Sequence, residues 1–431
     1  MVVIYTDSIT NRKKYIFNVL FFNVLGVECE LTTDRERFDT FNGVKFAYGD
    51  FDEKIGAAVM PAFGLLDESG VHPQPTDEVA WNGYRLLFPV KENVFLPCDI
   101  FSFSFYLVTR YEEWLDCYGR DEHGRFRIED SVSYRLGFHR VPLVQVLAVA
   151  FAEKLKILFP EFEYRKPELK IVYTCDVDVA YKYKGKGAWR WLAGLLRSVL
   201  HGESADTANF LKAALGKEVT DPFDVYENTK RFSKKYGVSV IHFLPTGKYG
   251  RFDKNISPKN KMFKKLLDKI SSFSEIGLHP SYGSFGKRDE LAKELKALVL
   301  ANGQEVRKSR QHYLLFSFPE TPRQLIAAGI TDDYTLGWTN NVGFRCSIAV
   351  PHHFYDLLAE CETELTFHPL IVMDVALARI PEGAAGAGAA FGEVAAAVRQ
   401  YGGEFIILNH NTQPPMFQMI VDDFDLASVR V

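Results

Sequence analysis

The second half of the chain alternates short apolar runs with stretches whose apolar residues follow helical spacing. The apolar runs read as strands, and the stretches between them include "KRDELAKELKALVLANG" and "TPRQLIAAG". Because strands that alternate with helices form parallel sheets covered on both faces, the pattern predicts an α/β fold. Seven or eight repeats over about 260 residues match a (β/α) barrel, and a doubly wound open sheet is the alternative. The predicted strands are KIVYTC, VSVIHFL, EIGLH, EVRKSRQ, GITDD, CSIAV, LTFHPLIVM and EFIILNH.

The beginning of the chain predicts a smaller α/β unit. "VVIYT" and "VECELTT" read as strands on either side of "RKKYIFNVLFFNVLG", which has helical spacing. The segment "PEFEYRKPELK", in which two prolines bracket charged residues, is the best candidate for a linker. We therefore expect a small N-terminal α/β domain over residues 1–165 and a barrel domain over residues 166–431. Farther on, "PEGAAGAGAA" is of low complexity and is expected to be a flexible connection before the last helix.

Composition agrees with a soluble protein of two domains. A chain of 431 residues is too long for one ordinary core. Hydrophobic residues make up 47% and charged residues 25%, which excludes a disordered or collagen-like chain. The six cysteines are scattered without a close pair, which favours a reducing compartment. The N-terminus lacks the pattern of a signal peptide, so we expect a cytoplasmic protein.

Charge is distributed unevenly along the chain. Residues 181–270 carry 19 Lys and Arg against 8 Asp and Glu, although the whole chain has a net charge of −4. Within this region "KYKGKGAWRWLAGLLRSVL" places Trp189, Trp191 and several leucines among basic residues. The segment from Lys182 to Arg197 is therefore expected to make weak contact with an anionic membrane surface, and solvated helix faces are the alternative. Nucleic acid is not expected as a partner, because no recognised nucleic-acid module accompanies the charge.

Polar residues recur where the predicted strands end. In a (β/α) barrel these ends converge on one face, which carries the chemistry. Two carboxylates stand together in "YTCDVD", and one residue between them puts both on the same side of an extended segment. They either cap the turn into the next helix or belong to a site that handles a metal or a proton. The polar residues at the strand ends are Asp176, Asp178, His242, His279, Arg310, His312, Asp332, Asp333, Asn409 and His410.

Five segments, taken in order, resemble the motifs of the polysaccharide deacetylases of the carbohydrate esterase family 4 type. They are "YTCDVD", "EIGLHPS", "SRQHY", "DDYTLGW" and "IILNH", and the resemblance covers roughly residues 170–412. It implies a distorted (β/α) barrel that removes N-acetyl groups from amino-sugar polymers with a divalent metal. The first 165 residues or so resemble an extra domain that precedes the barrel in some bacterial members.

The resemblance also implies roles for individual residues. Asp176 corresponds to the catalytic base and Arg310 to the arginine that orients it. Tyr313 corresponds to the residue whose backbone N–H faces the oxyanion, and His410 corresponds to the general acid. Asp333, with Trp338 nearby, falls in the motif that shapes the site.

The metal ligands implied by the resemblance are Asp178 and His279, and the chain departs from the pattern beside them. The second histidine of the metal motif is replaced by Gly283, and His312 stands where the arginine motif usually has proline. We expect His312 to approach Asp178 and His279 and to supply the missing ligand. Aspartate and histidine suit zinc, which we favour, and also iron, cobalt or nickel.

The expected function is metal-dependent removal of N-acetyl groups from an amino-sugar glycan or, in the cytoplasm, a glycan precursor. Two alternatives stay open at this point. The first is a catalytically reduced glycan-binding protein on the same barrel, suggested by Gly283. The second is a metal-free glycosidase with Asp176 and Asp333 as its acid and base. The sequence does not determine an oligomeric state.

Overall fold

The structure is a computed structural model that describes residues 1–51, 55 and 57–427. Its strands are β1 (Val2–Tyr5), β2 (Cys29–Thr32), β3 (Lys45–Tyr48), β4 (Val59–Met60), β5 (Glu78–Trp81), β6 (Tyr84–Leu87), β7 (Leu169–Asp176), β8 (Ser239–Leu244), β9 (Glu275–Leu278), β10 (Lys308–Ser309), β11 (Asp332–Asp333), β12 (His352–Asp356), β13 (Cys361–Phe367), β14 (Leu370–Met373) and β15 (Gly403–His410).

The α-helices are α1 (Asn11–Asn18), α2 (Arg35–Thr40), α3 (Ile100–Val108), α4 (Val132–Arg135), α5 (Leu143–Leu158), α6 (Ala188–Leu200), α7 (Ser204–Ala214), α8 (Tyr226–Tyr236), α9 (Lys261–Ile270), α10 (Arg288–Asn302), α11 (Glu320–Ala328), α12 (Asp374–Leu377), α13 (Gly383–Tyr401) and α14 (Phe417–Asp423). A π-helix, Val19–Val24, continues α1.

The strands form a large mixed sheet, a smaller parallel sheet and a hairpin. Over the described residues the large sheet has nine strands in the order β12-β13-β11-β10-β9-β8-β7-β15-β14, with β12 and β14 at its ends. The smaller sheet has the order β2-β1-β3-β4, and β5 pairs with β6. The pairs from β7 to β10 are parallel, whereas β12 runs antiparallel to β13. The predicted α/β class is therefore confirmed, and closure into a barrel stays a prediction.

The chain divides into two compact units. One consists of Met1–Lys170, Phe316–Ile326 and Thr331–Ile406. The other consists of Ile171–Leu315, Ala327–Ile330 and the segment from Ile407 onward. The division into domains 1–165 and 166–431 stays a prediction.

The first unit has an aromatic core around α3, which is buried along its whole length. Asp99 caps this helix, because its Oδ1 accepts hydrogen bonds from the backbone N–H groups of Phe101 and Ser102. The hydroxyl of Tyr48 donates to the other carboxylate oxygen at 2.8 Å. Phe101 stacks on Phe17 with ring centroids 4.1 Å apart. The cap thus fixes the start of a helix whose rings fill the core.

In the second unit, β7 to β10 bring their carboxyl ends to one edge. The register pairs Asp176 with Phe243, Leu244 with Leu278, and Leu278 with Ser309. The residues of β7 from position 172 onward are buried, as expected for a parallel strand covered on both faces. The residues that follow β9 and β10 therefore lie beside the end of β7, and these residues carry the candidate site.

The segment "PEGAAGAGAA" was expected to be a flexible connection, and this expectation was wrong. Most of this segment belongs to α13, which runs from Gly383 to Tyr401. Its alanines have the highest intrinsic helix propensity, and Phe391, Val394 and Val398 bury one side of the helix. Packing of that side offsets the cost of the glycines.

Among the helices of the described residues, none combines the length and the apolar character needed to cross a membrane.

Candidate metal centre

The two aspartates at the end of β7 have different surroundings. Asp176 is buried, and Arg310 donates from Nη1 to its Oδ1 at 3.1 Å and to Thr174 Oγ1 at 2.5 Å. The guanidinium of Arg310 also lies over the ring of Phe243, 4.6 Å from its centroid. Arginine, threonine and a phenylalanine ring therefore hold Asp176 in one orientation. Asp178 instead faces imidazoles.

Asp178 meets two histidines from neighbouring strands. Its Oδ1 lies 3.3 Å from His279 Nε2 and 3.5 Å from His312 Nε2. The two imidazole centroids are 4.9 Å apart. Each of the three side chains offers one ligand atom, and these atoms all lie within 4.8 Å of one another. The three side chains that were expected to bind a metal thus lie close together, and their role as ligands stays a prediction.

Hydrogen bonds on the far side of each ring orient both imidazoles. His279 Nδ1 lies 2.6 Å from the carbonyl oxygen of Arg310, and His312 Nδ1 lies 2.8 Å from Asp253 Oδ1. A proton on each Nδ1 leaves the Nε2 lone pairs directed toward Asp178. Metal-binding histidines commonly have this arrangement, in which a carbonyl or carboxylate holds the nitrogen that does not bind the metal.

The residues present fit a divalent cation. Asp178 Oδ1 and His279 Nε2 are buried atoms for which the described part of the chain supplies no hydrogen-bond partner, although they are 3.3 Å apart. Such atoms cost free energy unless something binds them. Ligand atoms about 2.0–2.1 Å from a tetrahedral ion are themselves about 3.3 Å apart, close to the separations at Asp178. Three protein ligands would leave a further position open for water or substrate.

The electrostatics of the cluster favour a charged carboxylate. Burial alone would raise the pKa of Asp178, but the close approach of His279 and the charges of His410 and His312 hold the pKa well below its usual range. Burial tends to lower the pKa of His279, yet the charges of Asp176 and Asp178 raise it. Because the pKa of His279 is raised, protonation of Nε2 competes with the binding of a metal there.

The sequence patterns did not identify Asp253 as part of the site. It lies in a loop, outside the five resembling segments, so no pattern marked it. Its Oδ1 also accepts the backbone N–H of Tyr282 at 2.9 Å, and its Oδ2 lies 3.4 Å from the N–H of Gly283. The loop that lacks the expected second histidine therefore holds Asp253, and Asp253 holds His312.

His410 and Tyr313 border the same cluster. His410 ends β15, and its Nε2 lies 4.0 Å from Asp178 Oδ2. Tyr313 has a left-handed backbone with φ of 59°, which is strained for a residue with a side chain. Its ring lies 4.8 Å from that of His312 and meets Tyr282 edge to face. The roles of acid for His410 and of oxyanion donor for Tyr313 stay predictions.

Asp333 and Trp338 belong to the first compact unit. The carboxylate of Asp333 accepts the N–H and the hydroxyl of Thr335 at 3.0 and 2.9 Å, which fixes the local turn. The indole of Trp338 is close to two guanidinium groups, with Arg110 and Arg345 each 5.4 Å from its centroid. A catalytic role for Asp333 stays a prediction.

A family model matches the first part of the chain. Residues 2–160 match a family described only as being of unknown function, DUF7033. No match to the chain was found among curated proteins.

Three solved structures show what this chain resembles when structures are superposed. A provisionally assigned polysaccharide deacetylase from Mycobacterium smegmatis superposes with a TM-score of 0.38 at 15% identity, over 62% of this chain and 86% of its own. A polysaccharide deacetylase from Bacillus cereus superposes with a TM-score of 0.28 at 13% identity, over 60% of this chain and 87% of its own. A mutant of a CE4 family pseudoenzyme superposes with a TM-score of 0.28 at 14% identity, over 60% of this chain and 63% of its own. These TM-scores are low, so function has to be judged from the residues of the site.

Proposed function

We propose that this protein is a metal-dependent hydrolase that removes N-acetyl groups from an amino-sugar glycan or glycan precursor. The observation that carries the proposal is the convergence of Asp178, His279 and His312, with two buried and unpartnered ligand atoms, beside Asp176 and Arg310. The order of the five segments that resemble polysaccharide deacetylases supplies the reaction class.

A divalent ion bound by Asp178, His279 and His312 would polarise the amide carbonyl and acidify its bound water. Zinc is favoured, and iron, cobalt and nickel suit the same ligands. Asp253 and the carbonyl of Arg310 would keep both imidazoles in the binding orientation.

The remaining residues transfer protons or donate a hydrogen bond during amide hydrolysis. Asp176, held by Arg310 and Thr174, accepts a proton from the attacking water. The backbone N–H of Tyr313 donates to the carbonyl oxygen as negative charge develops there. His410 donates a proton to the nitrogen as the C–N bond breaks, because an amine leaves far more readily than its anion. The products are acetate and a free amino sugar.

The test combines metal analysis with hydrolysis. The protein is purified without chelator, its metal content is measured, and acetate release from N-acetylglucosamine oligomers is followed. We expect about one metal ion per chain, loss of hydrolysis with a chelator and recovery when zinc is added back. His312→Ala should lower metal content, whereas His72→Ala, which removes an exposed histidine, should leave it unchanged.

Other results favour the alternatives. Glycan binding without bound metal or acetate release would indicate a catalytically reduced binding protein. Hydrolysis of glycosidic bonds that persists with a chelator would indicate a metal-free glycosidase that uses Asp176 and Asp333.

A further inference from the structure

Helices α6 and α7 form a hairpin whose sequence contains more apolar residues than one buried face requires. Helix α6 reads "AWRWLAGLLRSVL" and α7 reads "SADTANFLKAA". At about 100° per residue, the apolar positions of α6 form one continuous arc of about 200° on its surface, wider than a single packed face needs. One part of it, the inner arc, packs inside the hairpin, and the rest, the outer arc, does not.

The inner arc of α6 packs on α7. Trp191 donates from Nε1 to the carbonyl oxygen of Phe210 at 3.1 Å, and Ser198 Oγ lies 2.9 Å from Thr207 Oγ1. A Cβ at Gly194 would come within 2.7 Å of the Phe210 ring, so the two helices approach closely there. These contacts join α6 to α7 and involve no residue of the outer arc.

The outer arc of α6 exposes large apolar side chains to solvent. Trp189 is 80% exposed and Leu200 is 83% exposed. The other exposed members of the patch, on α6 and on α7 with the turn after it, are Leu192, Leu196, Val199, Leu211 and Leu215. On α6 these positions span an arc of about 100°. We call these seven residues the outer apolar patch. Several large apolar side chains exposed on one helix face mark a candidate interaction site.

Basic residues accompany the outer apolar patch along the sequence. Between residues 182 and 217 the chain has seven Lys and Arg against two Asp and Glu. Some of them are engaged within the fold: Arg190 donates to the carbonyl oxygens of Asn255 and Lys254, and Lys182 pairs with Asp206. Arg197 on α6 is exposed, and so are Lys212 and Lys217 on the α7 side.

We propose that the α6–α7 hairpin docks on an anionic phospholipid surface, with the outer apolar patch inserted at the headgroup boundary. Tryptophan and leucine on one helix face, flanked by lysine and arginine, are the composition of helices that lie in this interface. A second copy of the chain fits less well, because protein interfaces are depleted in lysine, and Lys212 and Lys217 are exposed on the α7 side of the hairpin.

Two tryptophans on opposite arcs of α6 provide a direct test. The full chain is mixed with vesicles of phosphatidylcholine and phosphatidylglycerol that carry brominated acyl chains, which quench fluorescence on contact. Quenching should disappear in Trp189→Phe, which removes the outer ring, and persist in Trp191→Phe, which removes the inner ring. Quenching that follows Trp191 instead would overturn the proposal, since the hairpin would have to open.

Co-sedimentation measures the two contributions separately. Trp189→Ala combined with Leu200→Ser should lower the partition coefficient about tenfold or more, because apolar area is lost. Arg197→Gln should lower it about fivefold, and salt should weaken binding of the parent chain. Leu300→Ser and Lys296→Gln, at exposed positions of α10, are the matched controls and should change nothing.

Two outcomes contradict docking on an anionic bilayer. Equal binding to vesicles of phosphatidylcholine alone would remove the role of the basic residues. Absence of vesicle binding, together with a dimer that dissociates in Leu196→Ser by analytical ultracentrifugation, would assign the outer apolar patch to a second copy of the chain.

Discussion

At the scale of single residues, the two aspartates at the end of β7 show how position decides chemistry. Both are carboxylates on one extended segment, yet Asp176 is held by Arg310 and Thr174 while Asp178 faces His279 and His312. A carboxylate already paired with a guanidinium is a weaker candidate for a metal ligand, and a carboxylate among imidazole nitrogens is a strong one. The two substitutions to asparagine should therefore have different effects.

Asp178→Asn should lose metal, because a neutral amide is a poorer donor to a divalent cation. Asp176→Asn should retain metal and lose hydrolysis by about 10²–10⁴-fold, the usual contribution of a general base. Metal content and acetate release are measured on both variants. Equal loss of metal in both would mean that both aspartates are ligands, and unchanged metal and activity in both would contradict the proposed function.

Asp253 should act through His312. Asp253→Asn should weaken metal binding by about 10–100-fold, the range found when a group that orients a metal-binding histidine is changed. Asp289→Asn removes an exposed carboxylate on α10 and is the control. Metal affinity is measured by competition with a chromogenic chelator. If Asp253→Asn binds metal as tightly as the parent chain, the carboxylate has only a structural role in its loop.

At the scale of elements, the packing between neighbouring strands leaves no room at Gly277. A Cβ there would lie 2.4 Å from Phe243 Cδ1 and 3.3 Å from the carbonyl oxygen of Lys308. Helix α13 shows the opposite case, since a Cβ at the exposed Gly388 meets no described heavy atom within 4 Å. Glycine is thus required at position 277 of β9 and dispensable at position 388 of α13.

Gly277→Ala should lower the free energy of unfolding by about 1–3 kcal/mol through overpacking. Gly388→Ala should raise it by about 0.5–1 kcal/mol, because alanine is the better helix former. Urea unfolding followed by circular dichroism measures both. A stable Gly277→Ala variant would show that β8 and β9 can move apart at little cost.

At the scale of the whole molecule, acid stability should depend on a buried ion cluster of the first unit. Glu113 is buried and accepts hydrogen bonds from Arg345 and Arg110 at distances between 2.6 and 2.9 Å. Burial alone would raise the pKa of Glu113, but the charges of Arg345 and Arg110 lower it to about 2. The unfolded chain should titrate this group at about 4.3.

Because the folded pKa is the lower one, Glu113 stabilises the folded state fully above pH of about 4.3, and this contribution is lost as the pH falls toward about 2. Glu113→Gln should cost about 3–5 kcal/mol at neutral pH, since it leaves buried guanidinium charges, and should flatten this dependence. Glu364→Gln, at an exposed position of β13, should keep the parent profile. Unfolding midpoints in urea between neutral and acid pH measure the effect, and identical profiles for both variants would contradict it.

Parts of the fold and candidate site could be predicted from the sequence because they depend on local pattern. Alternating apolar runs and helical spacing predicted the α/β class, and the polar residues after the strands named Asp178, His279 and His312. Asp253 could not be found in this way, because it meets His312 across 59 positions of sequence. The segment "PEGAAGAGAA" was expected to be a flexible connection, although most of it is helical. Its low complexity says nothing about the packing of Phe391 and Val394 on one side of that helix.

What the sequence by itself determined is the alternation of elements and the types of ligand available, since hydrophobic period and side-chain chemistry are properties of short segments. What only the tertiary structure decided is which of those groups meet. Strand register brings His279 and His312 to one carboxylate, and the close approach of α6 to α7 leaves the ring of Trp189 in solvent. These outcomes depend on contacts between residues far apart in the chain, whose free energies no local pattern contains.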